Sequence, residues 1–129
     1  MKVTGFNHLT IRVNDLRKSL PFYLDILGMK LVHRGRTDVY LEWGDAWICL
    51  IETKQQGAPQ GGPGIDHAAF AIAEDDFPAA VTRLKEHGVP MVREPVLRGG
   101  GWSVQFTDPD GTVLELFTGT LAGRMKIWR

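Results

Sequence analysis

Two stretches of this chain echo each other: GFNHLTIRV at residues 5–13 and GIDHAAFAI at residues 64–72. Each alternates with the period of two expected of a half-buried strand, and each carries a histidine at its fourth position. The likeness continues past the strands. NDLRKSLPFYLDILG follows the first, with Leu16, Leu20, Tyr23, Leu24 and Leu27 at helical spacing, Asn14 or Asp15 as the cap and Gly28 as the stop. AEDDFPAAVTRLKEHG follows the second, with Phe77, Val81 and Leu84 on one face, acids in the first turn and Gly88 as the stop. LGMKLV and HGVPMV then occupy matching places. The remainder of each half reads as short strands, VYLEWGDAWICLIE and WSVQFTDPDGTVLELF, with hairpin signals at GD (44–45) and DPDG (108–111).

The repeat predicts an α+β fold of two tandem βαβββ modules: module one over 1–53, a Gly/Pro/Gln-rich linker over 54–63, module two over 64–118 and a tail over 119–129. A module of this size buries too little apolar surface to stand comfortably alone. Two such sheets side by side can share helix packing and curve around a common cleft.

Composition narrows the function. Lys+Arg and Asp+Glu both count 15, so there is no net charge and no basic stripe for nucleic acid. No apolar run approaches the roughly 18 residues that cross a membrane, and MKVTGFNH lacks the apolar core of a signal peptide, so a cytoplasmic location is expected. The single cysteine, Cys49, leaves no internal disulfide and suits a reducing compartment. Within the repeat, alternation sorts the faces. Leu9, Ile11 and Val13 suit the helix side while His8 and Thr10 face away. Ala68, Phe70 and Ile72 take the helix side while His67 faces away; Leu114 and Leu116 are core, and Glu115 stands opposite them. Two imidazoles and a carboxylate are a common ligand set for Mn, Fe, Ni, Co or Zn, leaving positions open for water or substrate. A lone strand histidine is more often structural; its repetition, with a carboxylate on the same inferred face, points to a metal. His33 and His87 fall outside these strands and read as surface residues, and Trp43, Trp102 and Trp128 as packing residues of the core or an interface.

The doubled pattern, the histidines in NHLT and DHAAF and the ending DPDGTVLELF resemble the vicinal oxygen chelate superfamily over essentially the whole chain. That superfamily includes glyoxalase I, extradiol dioxygenases, bleomycin-binding proteins and fosfomycin-resistance enzymes. VYLEWGDAWICL (39–50) and GTLAGRMKIWR (119–129) resemble most the fosfomycin-resistance thiol transferases. The resemblance implies metal ligands at His8, His67 and Glu115, with Mn2+ preferred over Zn2+, Ni2+, Co2+ or Fe2+. It implies a catalytic Thr10 near the metal, a Tyr40 that orients or activates the thiol, and Trp47, Ser103 and Arg124 in substrate binding. The implied partners are a small-molecule substrate, glutathione or another low-molecular-weight thiol, and a second copy of the chain. In that homodimer His8 shares a metal with His67 and Glu115 of the other subunit.

The sequence departs from the glutathione-using branch at REPVLRGGGWS. A phosphonate-binding lysine is missing, for which Arg93 or Arg98 can substitute, and Gly99, Gly100 and Gly101 replace a potassium-binding loop. No potassium site is therefore expected, and the triple glycine can equally mark a mobile loop shaped for another substrate. Gln105 stands where a tyrosine is usual. Other readings are a glyoxalase-I-like lyase, a fosfomycin epoxide hydrolase using Asp38 as base, an enzyme of another small metabolite, and drug sequestration without turnover. A glyoxalase needs a carboxylate where aligning AWICLI with TVLELF places Cys49, although Glu52 lies nearby.

Overall fold

A computed structural model describes residues 1–2, 4–54 and 65–127. The expected linker and Trp128 lie outside the described residues, apart from Thr53 and Lys54 at the linker's edge. The chain divides into two compact units, Met1–Gln60 and Gly61–Arg129.

In the first unit the order is β1 (Leu9–Val13), α1 (Leu16–Leu20), a π-helical segment (Pro21–Ile26), β2 (Lys30–Arg34), β3 (Asp38–Trp43) and β4 (Ala46–Glu52). The sheet order is β1-β4-β3-β2, with β1 parallel to β4 and the remaining pairs antiparallel. The second unit repeats it: β5 (Ala68–Ala71), a 3-10 turn (Glu74–Asp76), α2 (Phe77–Glu86), β6 (Met91–Arg98), β7 (Gly101–Thr107) and β8 (Val113–Phe117), ordered β5-β8-β7-β6. A short α3 (Leu121–Ile127) follows. Alternation places the cores as expected. Ile11, Val13, Val39, Leu41, Ile48 and Leu50 are buried with Leu16, Leu20 and Tyr23; Val104, Phe106, Leu114 and Leu116 are buried with Phe77 and Leu84.

The helices differ for a reason readable in one residue. Asp15 caps α1, its carboxylate accepting from Arg17 N at 2.9 Å, and the same interaction holds its pKa below the ordinary aspartate value. Glu52 adds a second cap by accepting from Leu16 N at 2.9 Å. Pro21 then interrupts the expected continuous helix. Lacking an N–H and crowding the carbonyl four residues back, it passes the chain into a wider π turn in which Leu27 N bonds Phe22 O. In the second unit Pro78 sits in the first turn, where its missing N–H costs nothing, and α2 is regular. Helix α2 closes with Gly88 N on Lys85 O and Val89 N on Leu84 O, a Schellman ending that requires the φ of 67° at Gly88.

The triple glycine is not an open loop. Arg98 pairs with Gly101, so Gly99 and Gly100 are the whole connection between β6 and β7, at φ of 61° and 84°. Positive φ at both central positions is the demand of a type I′ hairpin turn, which only glycine meets without strain. A Cβ on Gly100 would stand 3.2 Å from Gly123 O in α3, so the glycines also let the tail pack closely over the turn.

Two outcomes follow from these contacts. Glu52→Ala leaves Leu16 N–H without its acceptor and lowers the unfolding free energy by about 1–3 kcal/mol, read from denaturant midpoints. Gly100→Ala combines positive φ with the contact to α3 and costs at least about 1–2 kcal/mol by the same measurement.

Candidate metal and anion site

Register explains which side chains meet. In the second unit Arg93 pairs with Gln105, Gln105 with Glu115, and Glu115 with Ala69. These four form one rung across β6, β7, β8 and β5. Residues on a rung share a face, and His67 and Ser103, each two residues from a rung member on its own chain segment, join it. Ala69 is small and leaves room above Glu115.

The carboxylate of Glu115 is nearly closed to solvent, with the residue 9% exposed. Its Oε1 accepts three hydrogen bonds: from Ser103 Oγ at 2.7 Å, Arg93 Nη2 at 2.8 Å and Gln105 Nε2 at 3.1 Å. Arg93 Nη2 also donates to Ser103 Oγ. Oε2 faces His67 Nε2 at 3.7 Å, too long for a hydrogen bond. His67 Nδ1 is engaged by Asp66 Oδ2 at 2.8 Å. A carboxylate on Nδ1–H fixes the tautomer that leaves the Nε2 lone pair outward. Two donor atoms without hydrogen-bond partners among the described residues thus converge, and 3.7 Å is less than twice the roughly 2.1 Å metal–ligand distance, so one divalent ion can reach both.

These residues border a pocket of about 130 Å³, lined by His67, Glu115 and Gln105 together with Arg93, Arg98 and Arg124. Ser103 and Phe117 complete its wall. Three guanidinium groups stand against one carboxylate, so the lining carries an excess of positive charge. Arg124 comes from α3, whose start is set by Thr120: its Oγ1 accepts from Gly123 N at 3.0 Å. Thr118 Oγ1 in turn accepts from Trp102 N at 2.9 Å and ties the tail to β7. Both candidates for the missing lysine, Arg93 and Arg98, line the pocket. Strict alternation puts residues five apart on opposite faces; a bulge between Arg93 and Val96, where Pro95 lacks a ladder donor, brings both arginines to one face.

The first unit carries the corresponding rung: Thr10, Cys49, Tyr40 and His33 on β1, β4, β3 and β2. Cys49 therefore stands where Glu115 stands in the second unit, and it is buried. Glu52, the other carboxylate considered for a fourth ligand, is occupied as the cap of α1. His8 is exposed; its Nδ1 lies 2.7 Å from Asn7 Oδ1, the same preceding-residue arrangement as Asp66–His67. Its ring lies 4.4 Å from that of Trp47, which lies 6.0 Å from Tyr40. His33 is exposed, as expected of a surface residue, but it lies on a strand of the sheet: it belongs to β2, pairs with Tyr40 and stacks against it at 5.5 Å. Its signal in the sequence was the alignment of LVHR with the start of β6, which sets His33 opposite Arg93 in the repeat. Asp38, the candidate base, folds its carboxylate back over Gly35 in the β2–β3 turn. Within a single chain, no group of three His, Cys, Asp or Glu side chains among the described residues is placed to hold a metal. His67 and Glu115 meet in the second unit, and His8 belongs to the first.

The glutathione transferase FosA of Serratia marcescens is 40% identical over 126 residues, covering 97% of this chain and 88% of that one. The metallothiol transferase FosB of Staphylococcus epidermidis is 39% identical over 130 residues, covering 100% and 92%. Among solved structures, the fosfomycin resistance protein FosX of Listeria monocytogenes, complexed with Mn(II) and sulfate, superposes with a TM-score of 0.80 at 29% identity, covering 99% of this chain and 100% of that one. A Glu-to-Gln mutant of FosX, complexed with Mn(II) and 1S,2S-dihydroxypropylphosphonic acid, gives 0.79 at 28%, covering 97% and 99%. The family model for the Glyoxalase/Bleomycin resistance protein/Dioxygenase superfamily matches residues 5–116. The chain belongs to that superfamily, and within it to the group of fosfomycin-resistance proteins.

Proposed function

We propose that this protein is a divalent-metal-dependent thiol transferase that opens the epoxide of fosfomycin. One observation carries the reading: His67 Nε2 and Glu115 Oε2 face each other with their other polar atoms engaged, at the edge of a pocket lined by three arginines. The names of the two relatives at 40% and 39% identity, both thiol transferases, support the reaction class.

His67 and Glu115 hold the ion, and His8 of a second copy completes the set; the matched Nδ1 contacts of His8 and His67 support equivalent roles. This makes the working form a cytoplasmic homodimer with a metal site shared between chains. The manganese in the FosX complex supports Mn2+, although two imidazoles and a carboxylate accept Zn2+, Ni2+, Co2+ or Fe2+ as well. When bound, the ion supplies Lewis-acid stabilisation to the alkoxide that develops as the ring opens. The protein's own groups do the rest. Arg124 holds the phosphonate through charge-assisted hydrogen bonds, with Ser103 beside it. Thr10, on the face of His8, donates to the leaving oxygen. Tyr40 orients the thiol by hydrogen bonding to its sulfur, and Trp47 walls the thiol site. A carbon–sulfur bond forms as the epoxide carbon–oxygen bond breaks, and the proton lost by the thiol ends on that oxygen, which becomes a hydroxyl.

Hydration is the second reading, favoured by the FosX complex with a dihydroxypropylphosphonic acid. The folded-back carboxylate of Asp38 and the higher identity to the thiol transferases place it second.

The test is product identity. Mn-loaded protein is incubated with fosfomycin and, separately, glutathione, cysteine, bacillithiol or water alone, and products are read by mass spectrometry. A thioether that disappears on chelation and in His67→Ala is expected. A diol without thiol means hydration instead. No product from metal-loaded protein removes the fosfomycin assignment and leaves the family membership standing.

A further inference from the structure

The three arginines of the second-unit pocket are not equivalent. Arg93 reaches Glu115 Oε1 at 2.8 Å and Ser103 Oγ, and its Nε is buried without a hydrogen-bond partner. Its Nη2 is thus committed to neighbouring side chains. Arg98 makes no hydrogen bond or ion pair among the described residues, although it lines the same pocket. It is presented there by the Gly99–Gly100 turn and by the bulge at Pro95.

On the reading of Glu115 as a metal ligand, we propose a division of labour. Arg93 is a positioning residue for Glu115, and Arg98 is the guanidinium that, with Arg124, receives a dianionic phosphonate head. Oε1 carries three donors, more than its lone pairs accommodate in ideal geometry, so it has no capacity left for a metal. Oε2 has none of them and is the oxygen turned to His67. The carboxylate is thereby held as a one-oxygen ligand in a fixed rotamer. A guanidinium whose Nη2 is committed to Glu115 and Ser103 turns toward an anion only by loosening that hold, whereas Arg98 makes no hydrogen bond or ion pair among the described residues. Arg93 therefore acts on the substrate only through the metal ligand, and the charge of the missing lysine is supplied by a residue five positions further along.

The experiment separates the two arginines by two binding constants. Mn2+ affinity is measured by electron paramagnetic resonance without ligand. Methylphosphonate affinity is measured by calorimetry with each variant saturated in Mn2+. Arg93→Gln is expected to weaken Mn2+ binding about 10–100-fold, to broaden the bound-Mn2+ spectrum and to leave methylphosphonate affinity within about twofold. Arg93→Lys restores part of the Mn2+ affinity, and Gln105→Leu, which removes another donor from Oε1, weakens it in the same direction. Arg98→Gln is expected to leave Mn2+ affinity unchanged and to weaken methylphosphonate about 10-fold or more. Thermal melts of each variant identify any that fail to fold, and the Gln105→Leu arm then carries the metal half of the test. Unchanged Mn2+ affinity in Arg93→Gln and Gln105→Leu overturns the positioning role. Unchanged methylphosphonate affinity in Arg98→Gln overturns the anion role. Wild-type protein that binds no Mn2+ instead overturns the metal reading itself, a result distinct from both.

Discussion

The hydrogen bonds that converge on Glu115 Oε1 decide what the second unit can do. A carboxylate taken this far out of water is costly unless its lone pairs are satisfied. Ser103, Gln105 and Arg93 satisfy one oxygen, and the other is left facing His67. All three donors come from strands β6 and β7, so the antiparallel register of those strands is itself part of the site. The bulge at Pro95 and the two-glycine turn exist within that constraint: they fix where β6 lies against β7, and hence what reaches Glu115.

The first unit shows the same scaffold with different contents. Its equivalent rung carries Thr10, Cys49, Tyr40 and His33 in place of Ala69, Glu115, Gln105 and Arg93. One unit thus offers a buried carboxylate with cationic neighbours, and the other an exposed aromatic and hydroxyl-bearing face around His8. Each unit retains the histidine and the residue before it that engages Nδ1.

Much of this was legible in the chain. The period-two alternation of LTIRV and VLELF sorts Leu114 and Leu116 from Glu115, because successive side chains of a strand take opposite faces even where, as in β8, both faces are buried. The caps at Asp15 and the stop at Gly88 were legible for the same local reason. What escaped was whatever depends on register between strands. The donors on Glu115 come from 10 to 22 residues away in sequence, and nothing local to Arg93 indicates that it points at a carboxylate. Alternation could not choose between Arg93 and Arg98, since it is broken between them. His33 reads as a surface residue and not as part of a strand because β2 is exposed along its whole length, which leaves no alternation to mark it. GGG read as a loop because glycine run length does not reveal that two of the three residues suffice for the turn. Pro21 could be read as an interruption, but not as a π turn.

The alternation of strand faces also has an evolutionary side. In β3 the buried Val39 and Leu41 flank the exposed Tyr40, so stability and chemistry are written in adjacent residues on opposite sides of one sheet. Substitutions at Tyr40, Thr10 or His33 touch little of the packed interior. Such a surface can drift through many side-chain combinations while the fold beneath stays under strict selection. A repeated unit of this kind can therefore carry different side chains on its open face in each copy while the packing beneath is the same.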